Sequence, residues 1–502
     1  LARGAGHRTH TRLSHTVNDS SHDALARCAR LIESSGLELV RFVWCDTHGQ
    51  TRGKTLTRSA ALQALRKGVG MVSTLMLKDT SDRTAFRVFE PGIRDQLPGL
   101  ACANNVVLEP LPETFRILPW ADKTGWIQCQ PRFVDGDTVP YDTRAQLQRA
   151  LGLLAERGLG MVCGLEIEFH VYRLRDAAHG SDTDPAQAAW PGPAPEVSLI
   201  HPGYHLLSEL WFDRAEEPMR IVQHTAQALG LPLSSLEIEL GPSQVEAVFD
   251  ATDALTAADN MVLFRSAVQQ ALRRAGYHAT FMCRPPFEQI MSSGWHLHQS
   301  LVSLHDGRNA LAREASAPGS DPHDAHHVLS DLGAHYLAGL LAHAKGMTVM
   351  CTPTANGFGR FRPNALAPQS ILWGLDNRGA MLRVIGAPGD AATRIENRLG
   401  EPAANPYLYM AAQIHAGLSG IDAALEPPPA SESPYAEPPP EARIPNRLGD
   451  ALQALGDDAA MVAGFGETFV RYYQRIKAAE QQRFDDAEDK TEFQRREYFG
   501  RI

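Results

Sequence analysis

A chain of 502 residues, 43% hydrophobic and 21% charged, has the composition of a globular protein and exceeds what one hydrophobic core usually serves, so two domains are expected, one of them large. The formal net charge of −10 argues against a general binder of nucleic acid or of anionic membranes, which normally carries a basic excess. Seven scattered cysteines without a C-x-x-C spacing indicate neither a zinc cluster nor a disulfide framework and fit buried thiols in a reducing, cytoplasmic setting.

The N-terminal stretch LARGAGHRTHTRLSH is basic and lacks the apolar centre of a secretory signal, and no apolar run along the chain reaches spanning length. Residues 1–20 therefore read as a loose leader. LELVRFVWCDTHGQTRGKTL, residues 37–56, predicts two strands around a polar turn at Asp46 to Gly49, then a short helix near 60–67. Further short strands fill the chain to about 140. DTRAQLQRALGLLAERG begins a new regime: Asp142 can cap a helix, Leu147, Leu151 and Leu154 share one face, and Gly158 can end it. These signals predict an N-terminal domain over 21–140 and a larger domain over 141–502, with helices at about 211–229, 253–275, 325–345, 404–422 and 458–484 between strands. The class is α+β. Three long loops, 176–197, 305–322 and the proline-rich 426–446, read as lids, contact loops or disordered inserts.

The strands of the larger domain carry an unusual pattern. In GLEIEFH, residues 164–170, Leu165, Ile167 and Phe169 alternate with Glu166, Glu168 and His170, so both carboxylates share one face. The pattern returns in LEIEL (236–240), WHLHQSL (295–301) and TRIENRL (393–399). If these faces converge, Glu166, Glu168, Glu239, Glu246, His296 and Glu396 collect five carboxylates and an imidazole that cannot all stay ionised without cations. Oxygen-rich ligands with one histidine favour two or three Mg²⁺ or Mn²⁺ ions over zinc.

A second collection is cationic. Arg360, Arg362, Arg378, Arg383, Arg394 and Arg398 lie close in sequence, and a planar guanidinium binds carboxylate or phosphate oxygens bidentately. Metal-holding carboxylates beside arginines describe a site for phosphoryl transfer to or near an acidic substrate. The chain contains no G-x-x-x-x-G-K-[ST] loop and no kinase signature.

ELGPSQVE (239–246), SGWHLHQSL (293–301), NGFGRFRP (356–363), DNRGAMLR (376–383) and RIENR (394–398), following EIE, resemble in this order the glutamine synthetase family. The resemblance implies a β-grasp-like N-terminal domain and a catalytic domain built on a curved antiparallel sheet flanked by helices. It further implies a two-ring homo-oligomer, commonly a dodecamer in bacterial members, with active sites between subunits. Carried over by position, it makes Glu168, Glu239 and Glu246 the ligands of one metal, and Glu166, His296 and Glu396 those of the metal bridging the ATP phosphates. Arg378, Arg383 and Arg394 match phosphate-handling positions, His298 and Ser300 lie near the nucleotide, and Gly294, Arg360 and Arg398 match the grip on the acidic substrate. Arg360 and Arg378 are the expected catalytic arginines.

Where ammonium-using members carry a flap glutamate six residues after the first arginine, this chain has Leu366. An aspartate expected to help bind ammonium is replaced, in a loose alignment, by Val72. The loop before the H-x-H pair reads Met291-Ser-Ser-Gly294 in place of N-G-S-G. These departures point to a ligase joining glutamate, or a close analogue, to an organic amine. The chain thus resembles the γ-glutamyl-polyamine and γ-glutamyl-amine synthetases, with Leu366, Val72, Phe358, Phe361 and Trp373 as candidate apolar surface. The alternatives are an ammonium-using glutamine synthetase and, in another class, a non-catalytic scaffold or metabolite sensor. Tyr435 lies near the position of a regulatory adenylylated tyrosine in some bacterial members, but its surroundings match poorly.

Overall fold

The computed structural model describes residues 11–175, 188–315, 321, 323–362 and 367–502, and side chains in the first helix are described from residue 23. Leu366 and parts of two of the expected long loops lie outside the described residues. The chain divides into two compact units, the first formed by 1–44, 51–73 and 103–139, the second by 45–50, 74–102 and 140–502. Two short segments ahead of residue 140 therefore pack with the second unit, because each is tied there by buried polar contacts.

In the first unit, α1 (Thr11–Ser34) occupies part of the stretch expected as leader and is followed by β1 (Leu39–Cys45), β2 (Thr51–Thr57), α2 (Arg58–Lys67) and β3 (Val69–Val72). After an excursion into the second unit, which includes α3 (Ile93–Gln96), come β4 (Asn105–Pro110), β5 (Arg116–Ile117) and β6 (Thr124–Arg132). The strands order as β2-β1-β6-β4-β3, with β5 beside β6, and β1 runs parallel to β6. Alternate residues Val40, Phe42, Val106 and Leu108 are fully buried, as half-covered strands require.

In the second unit, α4 (Thr143–Ala155) is capped by the Asp142 carboxylate, which accepts from Ala145 N, and Gly158 takes φ +71° just beyond it. The strands are β7 (Leu159–Leu174), β8 (Val197–Leu199), β9 (Leu233–Ile238), β10 (Gln244–Asp253), β11 (Tyr277–Thr280), β12 (Trp295–Ser303), β13 (Trp373–Leu375), β14 (Leu382–Ile385) and β15 (Arg394–Gly400). They order as β13-β14-β15-β12-β7-β10-β9, with β8 and β11 beside β7. Every pairing is antiparallel except β13 with β14. Leu165, Ile167 and Phe169 on β7 are buried, which forces Glu166 and Glu168 to the other face.

The predicted helix at 211–229 is two helices, α5 (Glu209–Arg214) and α6 (Glu216–Ala228), since Pro218 has no N–H to continue the first and favours a fresh start. The stretch 325–345 likewise divides: α8 (Asp331–Ala342), capped by Ser330, meets α9 (Ala344–Cys351) at His343. At 458–484, Gly466 with φ +85° separates α12 (Ala459–Phe465) from α13 (Glu467–Asp486), after α11 (Leu448–Asp457). The helices α7 (Ala254–Arg274) and α10 (Pro406–Asp422) run close to the expected bounds. α10 is largely enclosed, with residues Pro406 to Leu418 all buried. Among the described residues, no helix is long and apolar enough to cross a membrane.

The start of α10 is held by a buried guanidinium. Arg265 on α7, 1% exposed, donates to Pro402 O and Ala404 O at 2.7 and 3.1 Å and to Gly49 O at 2.7 Å. Asn405, the cap of α10, also reaches Asp46 O at 2.9 Å. Replacing Arg265 by methionine leaves three buried carbonyls without their charged donor, so Arg265→Met is expected to destabilise the fold by roughly 3–5 kcal/mol. The shift in denaturation midpoint measures it.

Candidate active site

Strand register builds the site in rows. Across β14, β15, β12 and β7, Arg383 lies opposite Glu396, Glu396 opposite His298, and His298 opposite Gly164. Two residues along β7 and β12, His296 faces Glu166, which faces Val248 on β10. In the next row Glu168 faces Glu246, which faces Glu237 on β9. Residues two apart in a strand share a face, so every polar member of these rows lies on the side opposite the apolar core.

The six expected ligands come together. Ligand atoms of Glu168, Glu239 and Glu246 all lie within 4.8 Å of one another, as do those of Glu166, Glu246 and His296, and those of Glu166, His298 and Glu396. The first set is the expected trio. In the others His298 joins Glu396, while His296 stands with Glu166 and Glu246; His296 Nδ1 is still only 3.7 Å from Glu396 Oε1. Glu237 bonds with Ser235 Oγ at 2.8 Å and stands outside these groups.

Charge is compensated unevenly. Glu396, fully buried, is clamped by Arg398 Nη1 at 2.5 Å and Arg383 Nη1 at 3.1 Å. Burial pushes its carboxyl up, but His296 and Arg398 outweigh that and hold it below its ordinary range. Glu166 is likewise desolvated, yet hydrogen bonds and charge from His296 and His298 hold it low; His298 Nε2 is 2.9 Å from its Oε1. Burial drives the His296 imidazole down, helped by Arg398. Glu239 and Glu246 have no such partners, and burial together with the Glu168 charge pushes both well up. Such a set can be fully ionised only beside cations.

Glu168, His296 and Arg360 meet at Gly294. Its N–H donates to Glu168 Oε2 at 2.9 Å, and a Cβ there would lie 2.5 Å from Arg360 Nη2 and 3.1 Å from His296 Nε2, so only glycine permits this approach. Arg360 sits in a short turn, Gly357–Arg360, and donates through Nη1 to Arg398 O and Gly400 O at 2.9 and 3.1 Å. Two residues that sequence reasoning passed over hold this geometry. Gln244 Nε2 bridges Glu168 Oε2, Ser292 O and Ser293 Oγ at 3.0–3.2 Å; it lies two residues before Glu246 on the same strand face, which is the signal that could have found it. Glu401, fully buried, accepts from Thr354 N and Oγ1 at 2.8 and 2.9 Å, and Thr354 Oγ1 accepts from Gly357 N at 3.0 Å. Burial pushes the Glu401 carboxyl up to about 7.

A cleft of about 720 Å³ opens at the Val162 end of β7, lined by His298, Ser300 and Arg394 together with Glu166, Asn309 and Arg313. Arg394 Nε donates to His298 Nδ1 at 3.1 Å, which leaves His298 Nε2 carrying the proton toward Glu166. Arg378 is exposed on the turn between β13 and β14 and does not line this cleft, nor does Arg383, whose guanidinium also bonds with Asp376. Of the expected amine surface, Phe358 is buried against Phe361. Trp373 is core, 2% exposed, with Nε1 donating to Pro428 O; neither offers a free wall. Val72 belongs to the first unit, and Leu366 is outside the described residues. The Tyr435 hydroxyl is shielded from solvent.

Comparison with known proteins gives a consistent result. The family model described as glutamine synthetase, catalytic domain, matches residues 140–496. A gamma-glutamylanilide synthase from an Acinetobacter sp is 37% identical over 499 residues, 96% of this chain and 97% of its own length. A glutamine synthetase from Halobacterium salinarum is 30% identical, with 93% and 95% covered. A gamma-glutamylethanolamide synthetase from Streptomyces coelicolor is 28% identical, with 94% and 95% covered. Among solved structures, a GmaS–ADP complex superposes with a TM-score of 0.73 at 26% identity, covering 93% of this chain and 98% of the other. With a family match over most of the chain and a relative of this identity along nearly all of it, the chain belongs to the glutamine synthetase family, whose enzymes are ligases that use ATP and divalent metal ions.

Proposed function

We propose that this ligase uses ATP to convert the γ-carboxylate of glutamate, or of a close analogue, to an acyl phosphate. An organic amine then displaces phosphate to give a γ-glutamyl amide. The observation that carries this reading is the sheet face on which five carboxylates, two imidazoles and three arginines converge beside the 720 Å³ cleft. A carboxylate is too resonance-stabilised to accept an amine at neutral pH, so activation must come first. The likeness to gamma-glutamylanilide and gamma-glutamylethanolamide synthetases, together with leucine in place of an acid at 366, favours an organic amine over ammonium. The Halobacterium relative supports ammonium as the second reading.

The roles follow from position. ATP occupies the cleft, with His298, Ser300 and Arg394 beside its phosphates. Arg383 is at present engaged by Asp376 and Glu396, so its contact with a phosphate requires exchange of the exposed aspartate, and Arg378 joins from its solvent-exposed turn. Arg360 and Arg398 orient the acidic substrate against Gly294. Glu166, Glu168, Glu239, Glu246, His296 and Glu396 fit two or three Mg²⁺ or Mn²⁺ ions, because the donors are oxygen-rich and two of the carboxylates are driven toward protonation without positive charge. Bound there, the ions supply charge neutralisation for the phosphoryl oxygens. The active form is a homo-oligomer of the two-ring type, a dodecamer, acting in the cytoplasm.

Three outcomes test the reading. Because Glu239 and Glu246 are raised above the ordinary carboxylate range, they hold protons that a cation must displace. Calorimetric titration of the metal-free protein with Mn²⁺ in buffers of different ionisation enthalpy should therefore register proton release, and affinity should rise with pH through neutrality. Glu396→Ala should abolish glutamate-dependent ADP release while size-exclusion chromatography shows the assembly intact; full wild-type turnover in excess chelator would remove the metal from the scheme. Arg360→Lys replaces a bidentate fork by a point charge and should raise the glutamate KM at least about tenfold, more than the ATP KM. An altered ATP KM with glutamate unaffected would reassign the arginine.

A further inference from the structure

Arg362 belongs to the arginines clustered in sequence, yet neither the acidic face nor the 720 Å³ cleft gives it a task. It is exposed and borders a second cavity, of about 610 Å³, together with Arg284 and Arg447. Among the described residues, Glu288 is the only acidic side chain on that wall. Three guanidinium groups therefore stand against one carboxylate.

Little nearby offsets the excess. Arg447 approaches Asp485 only to 3.6 Å, with both side chains well exposed. Burial pushes the Arg284 guanidinium below its ordinary range, and the charge of Arg362 pushes it further the same way. Two cations that repel each other in a partly enclosed space are stabilised by an anion shared between them. Arg284 is also held in place, since its Nη1 donates to Ile290 O and Ser292 Oγ at 2.9 and 3.3 Å. The rest of the wall is amide and hydroxyl, from Asn446, Gln481, Thr491 and Gln494. Gln494 Oε1 accepts from Asn356 Nδ2 at 2.5 Å, which leaves its own amide nitrogen to donate.

These features select among anions. A carboxylate offers two oxygens and one charge. A phosphate monoester offers three oxygens and close to two charges, which matches three guanidinium groups opposed by one carboxylate. The amide wall then suits a body that carries hydroxyl groups. We propose that this cavity is an effector site for a small polar phosphate monoester, its phosphate held by Arg284, Arg362 and Arg447 and its hydroxyl-bearing body by the amide wall.

The position couples such a ligand to the catalytic centre. Phe358 and Gly359, of the turn that carries Arg360, border the cavity. Arg284 N donates to Asn356 Oδ1 at 2.8 Å and Asn356 Nδ2 donates back to Arg284 O at 3.0 Å, so Arg284 is laced to the residue that opens that turn. Ser292, which Arg284 also holds, lies two residues before Gly294. A phosphate that fixes Arg284 and Arg362 thus stiffens both supports of the acidic-substrate grip and lowers the glutamate KM. This coupling rests on the reading of Arg360 as a glutamate-binding residue; the binding itself does not.

The test uses the full-length protein with ADP and Mg²⁺ present, so that the nucleotide cleft is filled. Calorimetric titration with glycerol 3-phosphate should register binding, with inorganic phosphate weaker and malonate undetected at the same concentrations. Two variants at exposed positions, Arg362→Gln/Arg447→Gln and Thr491→Glu, should each weaken glycerol 3-phosphate at least about tenfold and leave kcat without it unchanged. In the wild type, glycerol 3-phosphate should lower the glutamate KM at least about fivefold. No binding, equal affinity in wild type and both variants, or malonate bound as tightly overturns the site. Inorganic phosphate bound as tightly overturns the part given to the amide wall. Binding that needs the arginines but leaves the glutamate KM unchanged overturns the coupling alone. Absence of glutamate-dependent ADP release overturns the ligase reading, and with it the coupling, while calorimetry still decides the site.

Discussion

Like charge on one sheet face is the constraint to which the rest of this site responds. Five carboxylates with ligand atoms in overlapping groups no wider than 4.8 Å cannot all ionise unaided, and the fold compensates them in a graded way. At the β14–β15 side, Glu396 is locked between two guanidinium groups. In the middle, Glu166 shares two imidazoles. At the β9–β10 side, Glu239 and Glu246 are left with carboxylate neighbours and burial. The unmet demand for positive charge is therefore concentrated at one edge.

A graded site keeps its geometry only if its supports do not themselves respond to charge, and several here are main-chain or neutral groups. Gly294 offers its N–H to Glu168, Gln244 ties that carboxylate to Ser292 and Ser293, and Arg360 is anchored by carbonyls at the end of β15. Glu401 is the exception. It is buried behind the turn that carries Arg360, and a Cβ at Gly357 would sit 2.6 Å from its carboxyl. Its contacts with Thr354 fix that turn from inside, so the placement of Arg360 depends on a buried carboxyl outside the acidic groups. Second-layer hydrogen bonding of this kind commonly orients the groups that do the chemistry.

The sequence made the acidic face legible because strand alternation is a two-residue rule: once Leu165, Ile167 and Phe169 were read as core, Glu166 and Glu168 had to share the other side. The same rule located His296, His298, Arg394, Glu396 and Arg398. Residues placed by turns were harder. Glu401 follows a strand, carries no periodic signal, and acquires its task from Thr354 and Gly357, more than forty positions earlier in the chain. Trp373 was misread because nearness in sequence to the flap says nothing about direction; it opens β13 with its indole turned to Pro428. Helix ends failed where a local breaker acted inside an otherwise continuous apolar pattern, at Pro218, His343 and Gly466. Nothing in the composition of the apolar segment 204–212 reveals that its leucines remain outside.

Register also gives the site a direction. Along β7 and β12 the cleft lies at the Val162 and Val302 end, His296 and Glu166 follow one step further, and Glu168 with Glu246 one step beyond that. On the proposed reading, the phosphoryl group arrives from the end where arginine and histidine are plentiful, and the amine from the end where carboxylates outnumber their partners. A phosphate is stabilised at the first end and repelled at the second; a protonated amine meets the reverse. The two substrates of opposite charge are thereby kept from each other's approach by the same gradient that forces the carboxylates to seek cations. Arg360, between Gly294 and the end of β15, stands where the two approaches meet, which is where a carboxylate that must first take a phosphoryl group and then lose it to an amine has to be held.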